Sequence, residues 1–344
     1  MNVAVIGAGP GGLAFAGDLA LAGANVALHD IDASRLTRSI RLSGALTGEA
    51  SVALATPEPG AAIAGADAVI VVVPGPQLGA AVRAAAPHVE PGAIVVLATG
   101  GTGAALEAGA ILGPGPGAVA EIDAFPYTCA SAGDGEVDVR SVKRSFGVGV
   151  LGDGAGLSDL LPRARIAPSV LHTSLANFNS VLHVAPMVLN AGRIQASGRF
   201  EFYGEGITRA VAAVVAAYDE ERQAVARALD VDVPTLSEWA EQTYGVSGND
   251  VYTLVQALQR EVYRALPAPA TLDHRFLGED VPCGAVPVAS LGAALGVPVP
   301  THAALIVLAS RLLGTDFTTT GRTVERLGLG GLDAAGIRAA VGLP

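Results

Sequence analysis

Lysine is almost missing from this chain: Lys143 is the single one, and the other twenty basic side chains are arginines. A mechanism that needs a lysine must use Lys143 or be abandoned. Cysteine is as scarce. Cys129 and Cys283 stand far apart without metal-ligand spacing, which favours buried thiols over a disulfide or a zinc site, so no metal is expected. There is no basic tract, and the formal net charge is −11, which makes nucleic acid and anionic membrane surfaces poor partners. An anionic small molecule must therefore be held by a few local arginines or by helix N-termini. Long apolar runs are absent too. Gly, Pro or Asp interrupts each of them well short of the ~20 residues a membrane span needs. No basic segment precedes the first apolar run, so no signal peptide is expected, and the expected setting is soluble and cytoplasmic. Internal repeats and low-complexity tails are lacking.

What is present is a compact composition, 51% hydrophobic and 15% charged over 344 residues, a length that suggests two domains. Residues 2–6 (NVAVI) are a β-branched run that ends in Gly7-Ala8-Gly9-Pro10-Gly11-Gly12. A helical pattern follows over 13–21, Gly23 closes it, and 25–28 is a second strand that ends at His29-Asp30. Strand, G-x-G-x-x-G, helix, strand and acidic residue together form the dinucleotide fingerprint in its full context. Gly7 permits the tight turn, Gly9 lets backbone approach a pyrophosphate, and Gly12 lets helix and strand pack closely. Gly7, Gly9, Pro10, Gly11, Gly12 and Asp30 are the expected cofactor-binding set, for a nicotinamide or flavin dinucleotide. Asp30 can accept from both adenosine ribose hydroxyls and would repel a 2′-phosphate. With Asp32 beside it and no arginine before Arg35, NAD(H) is favoured over NADP(H).

The alternation continues with a weak strand at 52–55, a short helix at 61–66 and an unbroken apolar run at 68–73, read as a buried parallel strand. Its exit, Pro74-Gly75-Pro76, lies at the carboxyl edge where cofactors sit, so Pro74 joins the cofactor set. A helix at 77–88, a strand at 93–98, a glycine-rich loop at 99–103 and a strand at 119–122 follow. From 125 to 151 polar–apolar alternation with turn residues predicts an antiparallel extension at the sheet edge. Residues 152–162 lead out of the first domain. After Pro168 the pattern is helical, with helices at about 208–229, 233–244, 249–265, 288–295, 301–313, 323–327 and 334–341, and an extended loop at 267–286. The expected architecture is an α/β Rossmann-type doubly wound sheet over 1–164, followed by an all-α domain over 165–344.

Residues 171–192 (LHTSLANFNSVLHVAPMVLNAG) read as a buried helical stretch with Asn177, Asn179 and His183 along its middle. Asn179 and His183 are four apart and share a helical face. Pro186 should kink the helix beside the histidine. A core histidine satisfied by an asparagine is one reading; a functional site is the other. A second polar constellation, DHRFLGEDVP over 273–282, lies in the expected loop and supplies what His183 lacks. It offers a carboxylate to orient the ring and an arginine to hold a substrate carboxylate.

These stretches together resemble the opine dehydrogenases. The resemblance covers nearly the whole chain, through HDIDASR, LHTSLANFNSVLH, FYGEGIT, EWAEQTYG, RFLGEDVPCGAVP and GRTVERLGLGGLDAAGIRAAV. It implies reductive condensation: an L-amino acid and a 2-oxo acid such as pyruvate form an imine, which NADH reduces to a secondary amine dicarboxylate. It also implies that His183 and Asp280 are the acid/base pair, with Asn179 in the site and Arg275 matching an arginine of the same family loop. A homodimer is expected. His183 and Asp280 should meet in a cleft that faces the nicotinamide. Residues 126–132 (PYTCASA) and the segment before Arg275 depart from the family pattern, so amino-acid specificity is not carried over. Two alternatives stand beside this reading. Other two-domain dehydrogenases, of the 2-hydroxy-acid or ketopantoate type, use a lysine near the start of the helical domain, and this chain has none after Lys143. A dinucleotide-sensing protein without catalysis would leave His183, Arg275 and Asp280 without a purpose.

Overall fold

A computed structural model describes every residue of the chain except Thr99, Ser197 and Ala265. The first residue of the expected 99–103 loop and the last of the expected 249–265 helix thus lie outside the described residues. The chain forms two compact units, Met1–Ser174 and Leu175–Pro344. The first is a Rossmann-type α/β unit and the second is helical.

The strands of the first unit are β1 (Asn2–Ile6), β2 (Asn25–His29), β3 (Ser39–Gly44), β4 (Gly48–Ser51), β5 (Leu54–Thr56), β6 (Ala68–Val71), β7 (Ile94–Leu97), β8 (Ala118–Ile122), β9 (Tyr127–Gly133), β10 (Glu136–Val142), β11 (Phe146–Gly152) and β12 (Ala164–Ile166). Its helices are α1 (Pro10–Leu21), α2 (Pro59–Ile63), α3 (Gly75–Ala85), α4 (Ala104–Leu112) and α5 (Leu157–Leu160), and α6 (Val170–Leu175) follows β12. The main sheet has the order β12-β11-β8-β7-β6-β1-β2-β5. From β8 to β5 every pairing is parallel. The central strands β6 and β7 are buried at every position, as strands covered by helices on both faces must be. The expected change-over at 164/165 falls inside β12, which pairs with β11. The first unit runs on to Ser174 because Thr173 and Ser174 both donate to the buried Glu121 carboxylate, at 2.7 and 2.6 Å.

The expected edge extension over 125–151 is only partly correct. β11 does extend the main sheet, antiparallel to β8. β9 and β10, however, belong to a separate sheet of order β4-β3-β10-β9, whose strands β3 and β4 sequence reading left unassigned. Burial of apolar side chains explains this. Ile40 and Leu42 of β3 and Val137 and Val139 of β10 alternate with exposed or half-buried neighbours and join the core around Phe15 of α1. Gly17 of α1 makes the close approach possible, since a Cβ there would stand 2.9 Å from the Leu42 side chain.

The second unit contains α7 (Phe178–Leu189), α8 (Ala191–Gln195), α9 (Arg209–Ala228), α10 (Leu236–Tyr244), α11 (Val251–Leu258), α12 (Arg275–Gly278), α13 (Val286–Leu295), α14 (Pro300–Leu313), α15 (Phe317–Thr320) and α16 (Ala334–Ala340). Thr208 caps α9 through the Val211 amide, and Thr235 and Glu238 cap α10 reciprocally. Three expectations need correction. Residues 171–192, expected as a helix pair, fall in three helical segments, because the Asn177 side chain accepts from the Asn179 amide and starts α7 afresh, and α8 follows from Ala191. The stretch 267–286 is not one extended loop, since it holds α12 and the π-turn Val281–Ala285. Residues 323–327 form turns, not a helix. Among the described residues no helix is long and apolar enough to cross a membrane.

Candidate active site

In the first unit, the chain leaves β1 to build β2 and β5 on one side, then returns to place β6 on the other. Such a switch of direction opens a crevice at the carboxyl ends of the strands. The glycine loop and the β6–α3 connection both lie there. Gly7, with φ of +108°, has room for no side chain: a Cβ would stand 2.2 Å from the Val72 carbonyl oxygen. At Gly12 a Cβ would be 1.7 Å from the Gly7 carbonyl oxygen, and at Gly11 it would be 2.7 Å from the Phe125 ring. Gly9 is different. Nothing lies within 4 Å of its Cβ position, and it caps α1 with Pro10 at the first helical position. The loop is thus closed against its own sheet and open at Gly9, in front of first-turn amides that have no intrahelical partner. That is the shape and polarity a pyrophosphate requires, and the residues present fit a dinucleotide. Asp30 is buried behind the loop. Its carboxylate accepts from the Ala8 amide at 2.7 Å and from the Asp32 amide at 2.9 Å, so it braces the loop. Pro74 is exposed and caps α3.

In the second unit, α7 carries His183 at 7% exposure. Two interactions place this helix. Asn177 caps it, and the buried Arg222 of α9 donates to the Leu175 and Pro234 carbonyls while its guanidinium lies 4.7 Å from the Phe178 ring centroid. Asp219 neutralises Arg222 at 2.6 Å. The π-turn then brings the opposing carboxylate close. Ala285 donates to the Asp280 carbonyl five residues earlier, and Gly284 packs on Ser180, where a Cβ would come within 2.5 Å of the serine Cβ. As a result Asp280, 4% exposed, meets His183 Nδ1 at 2.7 Å. An ionised carboxylate only accepts, so Nδ1 carries the proton and Nε2 is the basic nitrogen. Phe276 of α12 stacks on the imidazole at 3.7 Å between centroids and 17° between planes.

Arg275 begins α12 with its side chain 58% exposed and its Nε 3.2 Å from Glu279, one turn on. Asn179 lies one turn before His183 and is exposed. The structure thus joins His183 to Asp280 and leaves Arg275 and Asn179 solvent-facing on the same two segments. His274 caps α12 through the Phe276 amide. Burial, then the Arg275 charge, hold its pKa below the usual imidazole value.

Two residues in direct contact with His183 escaped sequence reading. Phe276 stood in the quoted loop, but nothing in its spacing says that it stacks. Tyr203 donates to or accepts from Nε2 at 2.9 Å. It lies in a turn-rich segment between α8 and α9, where no periodicity reveals which way a side chain points. Burial and then the Asp280 carboxylate push its hydroxyl above the ordinary tyrosine range.

Comparison with known proteins agrees with this layout. The NAD/NADP octopine/nopaline dehydrogenase alpha-helical domain matches residues 166–313, and the ketopantoate reductase PanE/ApbA family matches residues 3–149. The chain is 39% identical to the opine dehydrogenase of Arthrobacter sp. (strain 1C), over 98% of both sequences. Among solved structures, octopine dehydrogenase with NADH and L-arginine superposes with a TM-score of 0.82 at 22% identity, over 98% of this chain and 97% of that one. NADP+-bound yersinopine dehydrogenase gives 0.77 at 17% identity, over 99% and 98%. The Arthrobacter relative matches over both halves at 39% identity, and the chain therefore belongs to the opine dehydrogenase family.

Proposed function

We propose that this chain is an NAD(H)-dependent opine dehydrogenase that condenses an L-amino acid with a 2-oxo acid such as pyruvate. The product is a secondary amine dicarboxylate, and the reverse direction oxidises it. The observation that carries this reading is the buried histidine whose Nδ1 is held by Asp280, in a family member whose glycine loop is open at Gly9. Residues 1–164 are assigned to dinucleotide binding and 165–344 to substrate chemistry.

The chemistry follows from the geometry. An amino acid enters as an ammonium ion and must lose a proton before nitrogen can attack the oxo carbon. His183, with its proton on Nδ1, takes that proton at Nε2. Asp280 stabilises the imidazolium without itself being protonated. The carbinolamine then loses hydroxide as water, which requires a proton, and His183 returns one as the C=N bond forms. When bound, NADH supplies the hydride that reduces the imine carbon. Arg275 holds a substrate carboxylate and Asn179 the amino or carboxylate end.

NADH consumption across a matrix of amino acids and oxo acids tests the function. Turnover that needs both partners supports it; a protein that binds NADH and turns over no pair would be a sensor instead. Arg275→Ala should raise KM for one of the two substrates by roughly ten- to a hundred-fold with little change in kcat, the cost of one charge-assisted contact. An unchanged KM for both would remove Arg275 from the site. NADH should be used better than NADPH. Asp30→Ala should narrow that gap and raise KM for both cofactors, because the Ala8 amide loses its partner. NADPH kinetics equal to NADH in the unaltered protein would overturn the assignment.

The protein is proposed to act in the cytoplasm as a homodimer. Ala303, Ala304, Val307, Leu308 and Leu312 form an exposed apolar stripe along α14, which supports pairing of two copies.

A further inference from the structure

We propose that Tyr203 holds the catalytic nitrogen of His183 and passes protons between it and substrate, so that the working unit is Asp280–His183–Tyr203. The proposal rests on the reading of His183 as the acid/base group and deepens it. Its geometry is independent of that reading.

The imidazole is held at both nitrogens: Nδ1 at 2.7 Å by Asp280 and Nε2 at 2.9 Å by the Tyr203 hydroxyl. Because Asp280 claims the Nδ1 proton, Nε2 of the neutral ring can only accept, and Tyr203 must donate to it. A hydroxyl can also reverse. Nε2 has a single lone pair and Tyr203 fills it, so a substrate proton reaches the ring by exchange at the hydroxyl: Tyr203 passes its own proton to Nε2 and takes the substrate's on the same oxygen, and the new Nε2–H then donates to that oxygen in a charge-assisted bond. Tyr203 thus satisfies Nε2 before and after proton uptake and needs no phenolate, consistent with the burial that keeps its proton on. Phe276 lies flat on the ring 3.7 Å away, so the imidazole is fixed in its plane by two hydrogen bonds and pressed from one face.

The hydroxyl is itself held rigidly. Tyr203 is 2% exposed, its ring stacks on Tyr263 at 4.3 Å and 22°, and Phe202 meets it edge-on at 5.1 Å. A tyrosine serving only the core would need none of this alignment with a histidine twenty residues away.

Tyr203→Phe is the test, because the ring contacts survive and only the oxygen is removed. kcat should fall about ten-fold, the effect of one hydrogen bond to a group that becomes charged, with KM for amino acid, oxo acid and NADH within about two-fold of the unaltered protein. The decisive readout is the ¹⁵N signal of His183 in imidazole-labelled protein without ligands, assigned by its loss in His183→Gln. In the unaltered protein Nε2 should appear as a hydrogen-bonded pyridine-type nitrogen. In Tyr203→Phe it should move to the position of a bare one, while the Nδ1–H signal stays. An unshifted Nε2 signal or an unchanged kcat in the variant overturns the proposal. Should the variant fail to fold, a bare Nε2 signal in the unaltered protein does so alone. If His183→Ala keeps its turnover, the acid/base reading fails, and the nitrogen signal still decides whether the Tyr203 bond exists.

Discussion

His183→Ala and Asp280→Ala should each lower kcat about 10²-fold or more, the range for loss of a general acid/base group, and the double variant should be little worse than either. The reason is structural. Asp280 has no reacting atom to reach; its carboxylate lies on Nδ1, the side of the ring away from the basic nitrogen, and it acts only through His183. Once the imidazole is gone the carboxylate has nothing to orient. The same pair sets a stability expectation. Each group is under 10% exposed, so Asp280 without His183 is a buried, uncompensated charge. His183→Ala should therefore also lower the melting temperature, whereas His183→Asn, which keeps a donor near Asp280, should lower it less. NADH affinity should survive all these changes, because the glycine loop belongs to the other unit. Multiplicative losses in the double variant would mean that Asp280 has a task of its own.

The second large effect separates two glycines of one motif. Gly12→Ala forces a methyl group to within 1.7 Å of the Gly7 carbonyl oxygen, a backbone atom that cannot swing aside. That substitution should break the β1–α1 turn, cost several kcal/mol and yield little folded protein. Gly9→Ala meets nothing within 4 Å, and its backbone is extended, so the unliganded protein should melt within a degree or two of the original. The methyl group would instead occupy the space assigned to the pyrophosphate, and NADH affinity should fall more than ten-fold. Thermal unfolding and NADH fluorescence titration of the two variants check both halves. A Gly9→Ala protein that binds NADH normally would show that the cofactor does not approach this backbone.

Much of the fold was legible because its signals are local. The β1–loop–α1–β2 unit follows from a β-branched run, spaced glycines and an aspartate within thirty residues, and the helices capped by Thr208 and Thr235 announce their own starts. The second sheet was not legible. β3 and β4 are short and polar on one face, and β3 pairs with β10, which lies some ninety residues later in the chain. No local pattern encodes that partnership. The candidate site divides in the same way. His183 and Asn177 stood out as polar groups in apolar surroundings, whereas Asp280 was singled out from the charged run 273–282 only by the family resemblance. Asn177 is a cap, however, because an asparagine side chain that reaches the amide two residues on competes with helix continuation. Tyr203 and Phe276 were hidden because an aromatic residue in a turn or a short helix reads as packing. Only the folded chain shows which ring nitrogen and which ring face they meet.

The central claim is that reduction occurs at a carbon joined to nitrogen, after condensation. Deuteride transfer tests it most directly. The protein is given NADH deuterated at the transferable position, together with the amino acid and oxo acid that support turnover, and the products are analysed by mass spectrometry. The account expects one deuterium in the secondary amine dicarboxylate, on the carbon between the new nitrogen and the carboxylate of the former oxo acid, and none in free 2-hydroxy acid. Deuterium found in the 2-hydroxy acid, with the amino acid unchanged, would mean that the oxo group is reduced without condensation, and would contradict the account.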